Sequence, residues 1–363
     1  MTDRRSRTFR VALIPGDGIG PEVIDAAAGP IGVAAELEDA SIRFERLPFG
    51  ADHFLSTGET LPDEAFTHLR DETDALLIGA LGDPRVPGNE HARDILLGLR
   101  FRLDLYINFR PCRLLHPELC PLRHVAPSRS GQSPPIDFAI FRENTEGIYL
   151  GQGSTEYEDT DREVRIAHEV HTAPKVRRIL VAAFEWARHQ GRSRVTMADK
   201  ANAVPAHRLW QRLFEEVGAE FPDIEREHRY VDALAMELVR TPGRFEVIVT
   251  NNLFGDILSD LGAELVGGMG LAASANLHPG RVSLFEPVHG SAPALAGKGV
   301  ANPMAAILSG ALMLEHLGLR RAAAALEAGV RDAIEAGVTT PDLGGERATE
   351  DVAAWIGAHV RHP

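Results

Sequence analysis

Short apolar runs, each closed by glycine or a polar residue and followed by an amphipathic stretch, recur along this chain. Residues 9–14, 75–80, 137–142, 194–198 and 245–250 have the length and β-branched content of buried strands. Helices are predicted to start at about Pro21 and to cover 92–105, 175–189, 205–217, 232–240 and 303–317. Strands alternating with helices argue for an α/β protein with a mostly parallel sheet and helices packed on it. With 363 residues there is room for two domains.

The first such unit turns through Pro15-Gly16-Asp17-Gly18-Ile19-Gly20-Pro21-Glu22. Its glycines are spaced GxGxG, not GxGxxG, and no acidic residue clearly ends a second strand about twenty positions later, so a Rossmann unit is rejected. The polar, Pro- and Ser-rich segment 127–135 reads as a mobile loop, and the basic start, residues 1–10, as a frayed terminus.

Acidic residues outnumber Lys and Arg by 52 to 38, which gives no general attraction to nucleic acid or an anionic membrane. Any arginines that bind an anionic substrate must therefore be gathered locally. No apolar run approaches the length of about 18 residues that spans a bilayer. Cys112 and Cys120 form neither a CxxC nor a zinc pattern, and free thiols in a reducing cytoplasm are expected.

The segment Asn251-Asn252-Leu253-Phe254-Gly255-Asp256-Ile257-Leu258-Ser259-Asp260 follows the 245–250 run. Gly255 is expected to break the strand, and a helix to begin near Asp256, with Asp256 and Asp260 on one face of its first turn. The helix N-terminus offsets their repulsion by only about 0.3–1 kcal/mol. A hard divalent cation would do far more. The plainer alternative is an N-cap Asp beside a solvated one. Asp232 could be a helix cap or a third carboxylate.

Arg100, Arg110 and Arg142 would each read alone as surface residues, but converging they would clamp carboxylates. A lysine at Lys200, near a cation and arginines, would have its ammonium form disfavoured and become a base. Tyr149 alone reads as a packed aromatic and His289 as a structural histidine. The Gly- and Pro-rich stretch from Glu286 through His289-Gly290-Ser291-Ala292 to Asn302-Pro303 suits a nucleotide-holding loop.

In order along nearly the whole chain, from Pro15–Glu22 to Pro341-Asp342-Leu343-Gly344-Gly345, these motifs resemble the β-decarboxylating hydroxyacid dehydrogenases, among them the 3-isopropylmalate, isocitrate, homoisocitrate, D-malate and tartrate enzymes. The stretches 252–260 and 286–303 are highly specific to that family. The resemblance implies two α/β domains around a cleft, residues 1–105 with 267–363 on the cofactor side and 106–266 in the other. It implies a homodimer with shared active sites, in which Lys200 and Asp232 reach the partner's cleft.

It also implies roles. Asp256 and Asp260, with Asp232 of the second copy, would hold Mg²⁺ or Mn²⁺. Arg100, Arg110 and Arg142 would bind a small dicarboxylate substrate. Lys200 would take the proton of the C2 hydroxyl, and Tyr149 would protonate the enolate left by loss of CO₂. The loop of Glu286, His289, Gly290, Ser291 and Ala292, with Asn302, would hold the adenosine.

Ala294 stands where NAD-using members carry aspartate and NADP-using members lysine, and Leu295 replaces the tyrosine of the latter. With no cation for a 2′-phosphate, and with Asp342 matching the NAD-using members, NAD is expected rather than NADP. Leu96 and Leu97 match the two leucines that receive an isopropyl group, while Arg93 stands where a glutamate is usual in isopropylmalate enzymes. The stretch 143–149 looks more like the isocitrate, homoisocitrate and D-malate branches. The expected substrate is a 3-substituted D-malate, 3-isopropylmalate first, with D-malate, tartrate or a tricarboxylate as alternatives. A metal-dependent hydrolase using three aspartates, or an inactive regulatory relative, are the readings from other classes.

Overall fold

The computed structural model describes residues 7–122 and 136–360. The segment 127–135 and residues 1–6 lie outside the described residues. Arg7–Arg10 are not a frayed end: they open the strand Arg7–Ile14, which pairs in parallel with Ala40–Arg46 from Arg7↔Ala40 to Leu13↔Arg46.

Two compact units divide the described chain. One takes residues 7–105, 114–122 and 263–360, the other 106–113 and 136–262. The short piece 114–122 groups with the two terminal pieces rather than with the middle of the chain.

Strands of the first unit run in the order Ala40–Arg46, Arg7–Ile14, Ala75–Ile78, Ser283–Pro287, Ala273–Leu277, parallel except for the last pair. Those of the second run Ile107–Arg113, Asp137–Glu143, Val247–Thr250, Arg194–Asp199, Glu225–Tyr230, parallel except for the first pair. The sheet is thus mostly parallel in each unit. Ala75–Ile78 and Val247–Thr250 are buried throughout, because helices cover both faces of such strands. Each fully buried Leu or Ile there contributes about 1.5–3 kcal/mol over an exposed one.

The edge strands Ala40–Arg46 and Glu225–Tyr230 carry no apolar run, since an edge position leaves much of each side chain in water. In the second unit, Gly153–Glu156 and Val164–Ala167 form a separate antiparallel pair that is exposed along its length.

The helix of the two aspartates differs from expectation. It spans Asn252–Leu265, so Gly255 lies inside it and breaks no strand. Asn251 caps it, its Oδ1 accepting the N–H of Phe254 at 2.9 Å. Neither aspartate is in the first turn, so the helix dipole does even less to offset their repulsion.

The GxGxG turn is a packing device. Gly18 has φ +57° and lies so close to the Ser291 carbonyl that a Cβ would overlap its oxygen, and that same oxygen accepts the N–H of Ile19 at 2.8 Å. The turn therefore seats the Ser291 loop. Gly18→Ala should lower stability by about 2 kcal/mol or more, read by urea unfolding followed by circular dichroism. An unchanged midpoint would show that the turn does not bear on Ser291.

Candidate active site

In the second unit the antiparallel pair Ile107–Arg113 and Asp137–Glu143 sets Asn108 opposite Arg142. Arg110 lies two residues beyond Asn108, so Arg110 and Arg142 share one face of the sheet as diagonal neighbours. Arg110 Nε donates to Asn108 Oδ1 at 2.7 Å, and Arg142 Nε to Asn252 Oδ1 at 2.8 Å. Asn252 Nδ2 in turn donates to the Glu146 carbonyl at 2.9 Å.

Arg142 also pairs through Nη1 with Asp256 Oδ1, and Tyr149 OH donates to Asp256 Oδ2 at 2.8 Å. Arg110 Nη1 lies 3.9 Å from Asp260 Oδ1. The guanidinium side chains are 4% and 8% exposed and the carboxylates 36% and 47%, so the cations are held from behind and the acids face outward. Gly255 permits this approach, since a Cβ there would sit 2.6 Å from Arg142 Cβ and Cγ. Hard carboxylate oxygens one helical turn apart fit a divalent cation of the Mg²⁺ or Mn²⁺ type. Burial first, and the hydrogen bond to Asp256 next, raise the Tyr149 phenol above its ordinary value, which keeps it protonated at neutral pH.

Lys200 follows the strand Arg194–Asp199, and its Nζ lies 2.8 Å from Asp232 Oδ1 on the helix Val231–Arg240. That hydrogen bond holds the Asp232 carboxyl below its usual range. Among the described residues no group of close donors brings Asp232 together with Asp256 and Asp260. Among the described residues, the group of three close donors is instead Glu169, His171 and His207, with ligand atoms within 4.8 Å of one another.

In the first unit, Arg100 Nη2 pairs with Glu286 Oε1 at 2.9 Å, and Asn276 Nδ2 donates to the same oxygen at 2.9 Å. Leu96 packs on the core of that unit, and Leu97 is half-buried on the same helix, Glu90–Arg102. His289 Nδ1 lies 3.1 Å from the Gly290 carbonyl, to which it donates. Burial pushes this imidazole down, so it is neutral, and its buried Nε2 has no hydrogen-bond partner among the described residues. Such an acceptor suits an amino group of a purine. Ala292 takes a left-handed φ of +38° beside Ser291, and Gly290 is exposed. Asn302 Nδ2 donates to Asp342 Oδ2 at 2.9 Å, and Thr340 Oγ1 to Asp342 Oδ1 at 2.6 Å, so these two residues form one cluster.

The sequence reading missed Asn108, Asn251 and Asn252 as brackets, although the Asn-Asn pair after a strand was a visible signal. It also missed Glu169 and His207, which lie 38 residues apart and have no spacing signature.

Residues 10–356 match the family model described as isocitrate/isopropylmalate dehydrogenase. The chain belongs to that family. It is 43% identical to 3-isopropylmalate dehydrogenase of Beutenbergia cavernae over 359 residues, covering 98% of this chain and 99% of that one. It is 42% identical to the enzyme of the same name from Thermobifida fusca over 358 residues, 98% of each. Among solved structures it is similar to isocitrate dehydrogenase from Methylococcus capsulatus, with a TM-score of 0.85, 38% identity, and coverage of 98% of this chain and 100% of that chain. As a member of the isocitrate/isopropylmalate dehydrogenase family, it is an oxidoreductase acting on CH–OH and a decarboxylating dehydrogenase. The family uses a divalent metal and a nicotinamide cofactor and acts on small dicarboxylates. Among the described residues no helix is long and apolar enough to cross a membrane.

A phenol with a raised folded pKa supports the fold fully below about pH 10, and that support is lost as pH rises through the folded value. Asp256→Asn removes the carboxylate and should move the Tyr149 titration down. Phenolate absorbance, taken as the difference from Tyr149→Phe, reads it; an unmoved midpoint would mean that Asp256 does not hold this proton.

Proposed function

We propose that this enzyme carries out NAD-dependent, Mg²⁺- or Mn²⁺-dependent oxidative decarboxylation of a 3-substituted D-malate, with 3-isopropylmalate as the substrate. The observation that carries the reading is the outward-facing set Asp256, Asp260 and Tyr149 backed by buried Arg110 and Arg142. It supplies oxygen ligands, carboxylate-binding forks and a held proton in one place. The names of the relatives point to the same substrate.

In this reading Arg110 and Arg142 of the second unit bind substrate carboxylate, and the roles that the family resemblance implies for Arg100, Leu96 and Leu97 of the first unit, a further carboxylate fork and a seat for the alkyl group, are part of the proposal. Lys200 accepts the hydroxyl proton. Tyr149, protonated at neutral pH, gives one to the carbon left after CO₂ departs. Asp256 and Asp260, with Asp232 of a second copy, hold the cation. Neutral His289 offers Nε2 to the adenine, and Glu286, Gly290, Ser291, Ala292, Asn302 and Asp342 shape the rest of the nucleotide's seat. When bound, the cation supplies Lewis acidity and the nicotinamide a hydride acceptor. The enzyme works in a reducing cytoplasm, where Cys112 and Cys120 stay as free thiols.

A homodimer with shared sites is part of the proposal. Two observations support it. Lys200 and Asp232 pair with each other at 2.8 Å, and among the described residues no group of three close donors joins Asp232 to Asp256 and Asp260. Met236 and Val239, on the Asp232 helix, are 64% and 42% exposed, and Ile257, beside Asp256, is 59% exposed. Val164 and Ile166 of the exposed strand pair add further uncovered apolar surface.

Absorbance at the NADH band over a panel of 3-isopropylmalate, D-malate, tartrate, isocitrate and homoisocitrate, each with NAD and NADP, should be led by 3-isopropylmalate with NAD. EDTA should abolish the signal. A clear lead for isocitrate or homoisocitrate would sink the substrate assignment. Sedimentation should give twice the chain mass. Met236→Asp with Val239→Asp should give a folded, inactive monomer; an active monomer would rule out the shared site.

A further inference from the structure

Behind the Asn252–Leu265 helix lies a cluster that the chemistry above does not use. Glu169 Oε1 accepts from Asn251 Nδ2 at 3.0 Å, and Glu169 Oε2 lies 3.2 Å from His207 Nε2. His207, 1% exposed, accepts the backbone N–H of Lys200 on Nδ1 at 3.0 Å. His171 Nε2 lies 3.2 Å from Glu169 Oε1. The imidazoles of His171 and His207 beside it hold the Glu169 carboxyl down to about 2, so it is ionised throughout the neutral range.

Two imidazoles and a carboxylate have the composition of a zinc site. The hydrogen bonds decide against one. A neutral imidazole carries a single proton. Because Nδ1 of His207 accepts from Lys200, the proton is on Nε2 and is donated to Glu169. A protonated Nε2 has no lone pair for a cation. Moving the proton to Nδ1 would set it against the Lys200 N–H at a separation of 3.0 Å between nitrogens.

We propose that His207, Glu169 and Asn251 are positioning residues that fix Lys200 relative to the helix of Asp256 and Asp260, an inference that rests on Lys200 being the base. The chain of contacts is continuous. The Lys200 N–H donates to His207, His207 donates to Glu169, and Asn251 donates to Glu169. The other end of the Asn251 amide caps the helix through the Phe254 N–H. One carboxylate thus ties the backbone at the base to the first turn of the metal-binding helix. Under the shared-site reading, it joins the lysine that a chain lends to its neighbour to the aspartates it keeps.

Steady-state kinetics of full-length variants test this. His207→Ala should lower kcat by about 10- to 100-fold with KM changed by less than about twofold, because a misplaced base slows chemistry without weakening carboxylate binding. His207→Asn, whose Oδ1 can stand where Nδ1 stood, should recover most of that loss. In a Lys200→Ala background, His207→Ala should cost nothing further, whereas a general structural role would add its loss again. Glu169→Gln keeps the shape and an acceptor, and it should give the same kcat-only effect with an unchanged circular dichroism spectrum; it serves where His207→Ala fails to fold.

Wild-type kcat in His207→Ala and Glu169→Gln, alongside a Lys200→Ala whose kcat is cut to a small residual, overturns the positioning role and leaves the base assignment standing. A fully active Lys200→Ala overturns both. Zinc bound at one per chain and lost in His171→Ala also overturns the proposal.

Discussion

The ion pair between Arg142 and Asp256 is the constraint around which the second unit is arranged. A guanidinium cannot shed its proton at any working pH, and this one is 4% exposed, so it needs an anion and a full set of acceptors. Asp256 is the anion, and Asn252 accepts from Nε. Gly255 is the residue that lets the helix come near enough, and the Tyr149 ring lies 5.4 Å from the Arg142 guanidinium. Counting Arg110 and Arg142 against Asp256 and Asp260 gives two positive and two negative charges. A dicarboxylate alone would leave this balance two charges negative. A divalent cation arriving with it restores neutrality, which is a physical reason for a metal requirement independent of the reaction.

Such a balance explains the division between acids and amides. Asn108, Asn251 and Asn252 hold arginines, a loop and a helix end by hydrogen bonds that carry no net charge. Aspartates in those places would quench the arginines and compete with Asp256 and Asp260 for the proposed cation. Asp256 and Asp260 face outward, while Glu169 is flanked by two histidines.

Central strands such as Ala75–Ile78 and Val247–Thr250 were legible because they are buried on both faces and hence continuously apolar. Ser283–Pro287, equally buried between two neighbours, was read as the opening of a loop because Glu286 and Pro287 interrupt its apolar run. Edge strands were not legible, since Glu-Arg-Glu-His-Arg-Tyr has no apolar pattern to read. The aspartate pair was visible from its four-residue spacing. The start of its helix was misread because Gly255 looked like a strand breaker, whereas its missing side chain makes room for Arg142. The pairing of Arg110 with Arg142 depends on strand register, which no local pattern specifies. The GxGxG turn was rightly separated from a dinucleotide fingerprint, but its function, seating the Ser291 loop, belongs to a contact between residues far apart in the chain.

The same logic bears on Lys200 and Asp232. A lysine–aspartate pair whose carboxylate is 66% exposed contributes little to stability, because water screens it and two side chains must be ordered. A contact so weak is a poor reason to hold either residue in place, yet the backbone of Lys200 is anchored by a buried histidine that is itself anchored by a carboxylate. Order is spent on the main chain and freedom is left to the ammonium. That is the arrangement expected of the base proposed above, which would exchange one partner for another and return the proton it takes.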